Sequence, residues 1–450
     1  MLNPAISSRS VAPSLARAGD RPHQWPGYAA AKPAPAPTAT SDLPWDLLLA
    51  CVAGYILTCV GRVHQLFPML QFVRAAFLTY ALAMVLYVVD RHPERRVRPV
   101  WTGATKWMMA LFTWAVLSMP WALVIGDGFD LVFGSLIKIV VMSVVIAGTI
   151  RTIQDADRLA AVYLLGATVY AVVVLCRFDI GAGDDWRLGH LYYYDANDFA
   201  TFAVTAMPFG LHLAQRGRRP RTRLAAAVSL VVLSAAFVHS GSRGGFLALV
   251  AMGGFLALRY TAVSLGARVC ALVVVGLVLL GTASQRYWQQ MGTILSDTDY
   301  NQTEEAGRLQ IWRRGVGYMF DHPLFGVGPA NFGVAEGTLS PFAERQQFGV
   351  GVRWNAPHNS LVQVGAELGV PGLVLFVGMI ANAFVVLRRS GRGNGEPGGP
   401  DQMTVELAQA LTASLIGYVV GAFFLSLAYA ELLYTLIALA VGVQKLGTRS

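Results

Sequence analysis

Three short stretches combine residue types and spacings suited to an anionic substrate. Ser242-Arg243-Gly244-Gly245 forms a hairpin too short to leave a membrane interface, with small residues that let a ligand approach the backbone. Gly307-Arg308 opens a second stretch. If it is helical, Leu309, Trp312, Val316, Met319 and Phe320 fall in one stripe about 100° wide, with Arg308 on one side and Arg313 on the other. Such a helix lies along a membrane surface with its cations at the waterline. A guanidinium fork matches phosphate oxygens two at a time, which suits a lipid diphosphate held at headgroup level. Snorkelling to ordinary phospholipid is the plain alternative for any single arginine, and several on one face weigh against it. The third stretch is Pro357-His358-Asn359-Ser360, where Asn359 and Ser360 can cap the helix that follows. An interfacial histidine is often a packing or capping residue, yet neutral imidazole is the side chain best poised to take a proton near neutrality.

Other polar residues call for weighing. Arg187 precedes Tyr192-Tyr193-Tyr194, whose rings can present flat faces to sugars, although an interfacial aromatic belt is the commoner use of tyrosine there. Asp184, Asp185, Asp195 and Asp198 share that loop and could hold Mg²⁺, but solvated acids or arginine partners are preferred. No His or Cys pair has metal-ligand spacing, so neither a metal nor a cofactor is expected. Lys138 and Glu431 are charges within apolar runs, which mark a site or pair with each other.

The elements that must position these residues are set by composition. The chain has 450 residues, 55% hydrophobic and 14% charged, with a mean hydropathy of +0.50. That balance predicts an all-α polytopic membrane protein rather than a water-soluble domain. Apolar runs give about 12 spans at roughly 20 residues each. The expected organisation is a disordered cytoplasmic tail over 1–43, spans one to nine over 44–283, a large aromatic cap loop over 284–357, and spans ten to twelve over 358–450. The net charge of +9 reflects the arginine bias of cytoplasmic loops, and nucleic acid is not an expected partner. Arg91, Arg95, Arg96 and Arg98, then Arg151 and Arg158, then the cluster Arg216 to Arg223, mark alternate loops as inner and serve topology and contact with lipid headgroups. The intervening loops, among them Gly126-Asp127-Gly128-Phe129-Asp130, the Arg187 loop, the Arg243 hairpin and the cap, then face outward, with both termini inside.

Taken in order, Ser242 to Gly245, Gly307-Arg308 with Trp312, His322-Pro323-Leu324-Phe325-Gly326-Val327-Gly328, His358-Asn359-Ser360-Leu361 and Glu367-Leu368-Gly369-Val370-Pro371-Gly372 resemble the bacterial O-antigen ligase and polymerase superfamily over roughly Tyr194 to Phe376. The resemblance implies an inverting, metal-independent transfer of a glycan from an undecaprenyl-diphosphate-linked donor to an acceptor hydroxyl on the periplasmic side of the inner membrane. Carried over by motif, Arg243 and Arg308 hold the donor diphosphate and His358 acts at the acceptor. Arg187, Arg313, Arg353, Asn359, Tyr194, Asp198 and Lys138 are the candidates for further substrate contacts. Ligase and polymerase differ in acceptor, lipid A core for one and a lipid-linked repeat unit for the other, and the single large cap leans towards ligase. A polysaccharide or solute transporter is the alternative of another class. The concentration of polar residues on one face argues against it, since transporters carry their sites near the midplane.

Overall fold

The computed structural model describes residues 43–95, 100–177, 188, 194–216, 219–261, 263–295, 307–343, 355–392 and 402–447. Arg187, Arg353, Tyr192, Tyr193, Asp184, Asp185 and all but the last residue of the expected tail lie outside them. The described residues belong to one unit, Leu43–Ser450, and among them every regular element is a helix.

The first elements are α1 (Leu47–Tyr55), continued by a π-helical turn Ile56–Val60, the short α2 (Val63–Leu66) and α3 (Pro68–Phe72), and α4 (Ala75–Val89). Next come α5 (Gly103–Ser118), α6 (Ile125–Phe129), a π-helical stretch Asp130–Leu136, α7 (Ile137–Thr149), α8 (Ile153–Arg177), α9 (Ala196–Arg216), α10 (Pro220–Ser240), α11 (Arg243–Arg259) and α12 (Leu265–Thr282). The polar interruption holds α13 (Gln285–Gly292), α14 (Arg308–Asp321) and α15 (Phe332–Thr338), and the chain ends in α16 (Ser360–Ser390), α17 (Gln402–Ala422) and α18 (Glu431–Gly447). Among the described residues five helices are long and apolar enough to cross a membrane: Ile125–Thr149, α8, α10, α16 and α17. The loop expected at Gly126 to Asp130 is instead helical, because α6, the π-helical stretch and α7 run on as one span.

Two internal devices shape this bundle. At one end Arg95 and Arg151 are buried, and both pair with Asp46, the N-cap of α1. Arg95 also meets Asp90 at 2.5 Å, while Asp155 receives Arg151 at 2.8 Å and Arg158 at 3.0 Å. Lys445, at the C-terminal end of α18, donates to the Gly148 carbonyl at 2.9 Å and the Glu94 carbonyl at 3.1 Å. The headgroup role expected for Arg95 and Arg151 is therefore corrected: a desolvated guanidinium needs a carboxylate within reach, and these two bind helix ends together.

The second device is a break in α16. Pro371 has no N–H for the Glu367 carbonyl, and Gly369 adopts φ 70°. The freed carbonyls are taken up from outside the helix. Val327 N–H donates to Ala366 at 2.8 Å, Gly328 N–H to Glu367 at 3.0 Å, and the Trp114 indole to Leu368 at 2.9 Å, while Val370 N–H donates to Pro323 at 2.9 Å. The loop that supplies these donors is anchored by Phe325, stacked on Trp114 at 5.2 Å and on Trp121 at 4.1 Å. The motifs His322 to Gly328 and Glu367 to Gly372 are thus one interlocking unit.

A Cβ at Gly369 would stand 2.5 Å from the Leu324 carbonyl oxygen. Gly369→Ala is therefore expected to cost at least about 1–3 kcal/mol from the backbone conformation alone, read as a lower unfolding midpoint in detergent. Gly317→Ala, in open space within α14, is expected to be neutral or stabilising.

Candidate active site

The end of the bundle opposite the Asp46 cluster is organised by a segment that sequence reading passed over. Phe423 to Ala430, between α17 and α18, is not helical, and the first turns of several helices are tied to it. Ser360, first residue of α16, donates from its hydroxyl to the Leu425 carbonyl at 2.8 Å and accepts from Leu427 N–H at 2.9 Å. His358 N–H donates to the Ser426 hydroxyl at 2.9 Å. Gly244 in the first turn of α11 lies so close to Phe424 that a Cβ would approach its Cβ to 2.9 Å. Trp312 of α14 packs edge-on to Phe423, ring centroids 5.4 Å apart, and donates from its indole to the Pro357 carbonyl at 2.9 Å. The signal for this hub was present: the apolar runs ending at Leu425 and starting at Tyr429 leave only Ser426-Leu427-Ala428 between two spans.

The N-termini of α11, α14, α16 and α18 thereby gather at one end, and helix N-termini favour anions. Arg243 and Arg308 are the first residues of α11 and α14, where the helix dipole disfavours a cation by about 0.3–1 kcal/mol. Helix stability therefore does not explain their placement. Ser242 caps α11 by accepting from Gly245 N–H at 3.1 Å, and Gly241 makes the turn before it with φ 57°. The Arg243 guanidinium donates to the Thr293 hydroxyl at 2.7 Å, in the turn that follows α13. The stretch that opens with Gly307-Arg308 is helical, as α14. Leu309, Val316 and Phe320 of its stripe are exposed, and Phe320 is 67% accessible. Its other face, Ile311 and Tyr318, is buried against Phe332 and Ala366.

His358 is half-buried, with left-handed backbone at φ 45°. Burial, and then the charge of Arg308, hold its imidazole below the usual 6.5, against a smaller opposite pull from Asp195. At neutral pH it is therefore an uncharged ring beside a guanidinium, the state a general base requires. Asn359 is the N-cap of α16, its side-chain oxygen accepting from Leu361 N–H at 2.9 Å and Val362 N–H at 3.1 Å. It also lines a groove of about 410 Å³ with Trp312, Val316, Leu361 and Phe423, Arg313 being the one charged residue of the lining.

Other candidates are placed differently. Tyr194 is buried, its hydroxyl donating to the Val60 carbonyl at 2.8 Å and its ring packed on Tyr170 and Phe202. It offers packing rather than an open face for a sugar. Asp195 accepts from Asn197 and Asp198 N–H, both at 2.7 Å, and caps α9. Asp198 lies within electrostatic reach of Asp195 and Arg62. The possible pairing of Lys138 with Glu431 is not found. Glu431 pairs with Arg62 at 3.3 Å, and Lys138 stands on the exposed side of the span Ile125–Thr149.

Comparison with known proteins bears on the same stretch. No curated protein matches the chain. Residues 226–377 match the family model described as O-antigen ligase, a segment that contains Arg243, Arg308, His358 and the interlocked α16 break. That stretch is therefore similar to the O-antigen ligase family, and the long apolar helices are those of a membrane protein.

Proposed function

We propose that this protein transfers a glycan from an undecaprenyl-diphosphate-linked donor to an acceptor hydroxyl at the periplasmic face of the bacterial inner membrane, as a ligase of surface polysaccharide. In this reading about 12 spans place both termini in the cytoplasm and the Arg243, Arg308 and His358 end outside. The observation that carries the reading is the grouping of an uncharged His358 with Arg308 and Arg243 around the Phe423 to Ala430 hub.

In the proposed reaction the acceptor oxygen attacks the anomeric carbon while the bond from that carbon to the diphosphate oxygen breaks. The electron pair leaves with the diphosphate, whose growing charge Arg243 and Arg308 offset, and the acceptor proton passes to the His358 imidazole. Attack opposite the leaving group inverts the anomeric centre. With permanent guanidinium charge on the leaving group, the step draws on no metal ion. The groove beside Arg313 and Asn359 has the apolar lining and size to take the first isoprene units of the donor. Membrane lipids cover the exposed apolar faces, such as Val88 at 74% and Leu258 at 77% accessible.

Deleting the gene and separating surface glycans by size tests this. Full-length chains accumulating on the lipid carrier support a ligase. Single repeats on the carrier make the protein a polymerase that joins lipid-linked units, and an unchanged profile removes both.

A further inference from the structure

The hairpin that carries Arg243 is gripped by α13. This short helix is amphipathic: Tyr287 and Met291, one turn apart, are buried with Val238 near the end of α10, and Phe246 in the first turn of α11 packs on the same cluster together with Trp288 and Ile294. Val238 and Phe246 lie on either side of Arg243 in the chain, so α13 touches both arms of its turn. Ser284 starts the helix by accepting from Tyr287 N–H at 3.2 Å. The helix closes on Thr293, its C-cap.

The Thr293 hydroxyl has one proton, and that proton goes to the Gln290 carbonyl at 2.7 Å. Its lone pairs can then only accept, and Arg243 Nη1 donates to them at 2.7 Å. A guanidinium is planar and rigid. One bond fixed at Nη1, together with the tether to the backbone, therefore sets the plane and direction of its other N–H groups. Packing gives no reason for a hydroxyl here. The apolar cluster already holds α13 to the hairpin, and beside Ile294 a valine would fill the Thr293 position with nearly the same shape. What the hydroxyl adds is aim. A long side chain loses rotamer freedom when it grips an anion, and a donor oriented beforehand has less to lose as charge develops.

We infer that Thr293 is a positioning residue for the transfer reaction: its hydroxyl, itself set by the Gln290 carbonyl, aims the Arg243 guanidinium at the donor diphosphate, and α13 is the bracket that carries it. This rests on the glycan-transfer reading above and adds to it the residue that orients one of the anion-binding arginines. Thr293 acts only through Arg243 and touches neither the bond that forms nor the bond that breaks.

The test uses full-length protein in lipid nanodiscs, an undecaprenyl-diphosphate-linked glycan as donor and a hydroxyl-bearing lipid glycan as acceptor, with wild type, T293V, R243A and the double variant compared. T293V is expected to keep its unfolding midpoint and its KM for acceptor, and to lower kcat about tenfold, the order of one lost hydrogen bond to a charged group. In the R243A background the same substitution should change kcat by less than about twofold, since a residue that works through Arg243 has nothing left to orient. Thr293→Ser keeps the hydroxyl and should recover most of the rate. A folded T293V with wild-type kcat overturns the assignment, as does a serine variant as slow as the valine one. An equal loss in the R243A background also overturns it, being the mark of a threonine that serves structure alone. Should T293V not fold, Thr293→Ala goes through the same cycle and the same outcomes decide. Absence of transfer by wild-type protein is a separate result, which removes the parent reading and this one with it, whereas an active wild type matched by T293V leaves the parent reading standing.

Discussion

Replacing Arg243 or Arg308 by alanine is expected to lower transfer by about 10²–10³-fold, the usual loss when one preorganised donor to a developing anion is removed. Both residues begin helices whose first turns are fixed by other groups. Ser242 caps α11, and α14 is held through Trp312 and the buried Ile311 and Tyr318. Neither helix start is therefore held by its guanidinium alone, and the variants should reach the membrane in normal amounts. Lysine at either position should restore little, since a point charge does not reproduce a planar fork. Arg219, exposed at the N-cap of α10, is the control, and Arg219→Ala should be nearly silent. Equal loss at Arg219 would mean that the effects at Arg243 and Arg308 come from insertion or stability.

Removing the imidazole of His358 is expected to cost about 10²–10⁴-fold, the typical contribution of a positioned general base. The left-handed backbone at 358 dictates the choice of variant. Asparagine accepts that conformation far better than most residues, so His358→Asn removes the base while keeping the strand of chain that joins Pro357 to the Asn359 cap. His358→Ala loses the base and adds backbone strain, and the two together separate chemistry from folding. The pH profile follows from the direction of the shift. Burial and Arg308 hold the imidazole below 6.5, so the base is uncharged through neutrality and the rate falls only as pH drops through that lowered value. Asp195→Asn removes a neighbour that pulls the other way, and should move this acidic limb to still lower pH. A limb that stays in place in Asp195→Asn, or an active and well-folded His358→Asn, would take the histidine out of the mechanism.

Much of this arrangement was legible in the residues themselves. The apolar runs announced a helical membrane protein, the Ser242-Arg243-Gly244 turn and the helix after Gly307 formed where spacing put them, and Asn359 caps α16 as its type suggests. What the chain did not disclose was long-range partnership. The His322 to Gly328 and Glu367 to Gly372 motifs each look like candidates for chemistry, yet their glycines and proline exist to lock one loop into a broken helix. Arg95 and Arg151 read as loop charges because nothing local shows that Asp46, Asp90 and Asp155 fold against them. The hub around Ser426 showed only as a three-residue gap between two apolar runs, with nothing local to say which helix starts it would hold, and Tyr194 looked available until its hydroxyl was seen on Val60. Glu431 found Arg62 rather than Lys138. In each case hydropathy fixed the element, whereas the partner depended on which helix ends came together.

The central claim, that arginines and a histidine carry out glycan transfer from a lipid diphosphate, is tested most directly by assaying purified protein with an undecaprenyl-diphosphate-linked glycan and an acceptor in the presence of EDTA. The account predicts glycan on the acceptor, free undecaprenyl diphosphate in equal amount, and the same rate with or without Mg²⁺. Transfer that disappears in EDTA and returns with Mg²⁺ would contradict it and move the charge stabilisation to the carboxylates of Asp184, Asp185, Asp195 and Asp198.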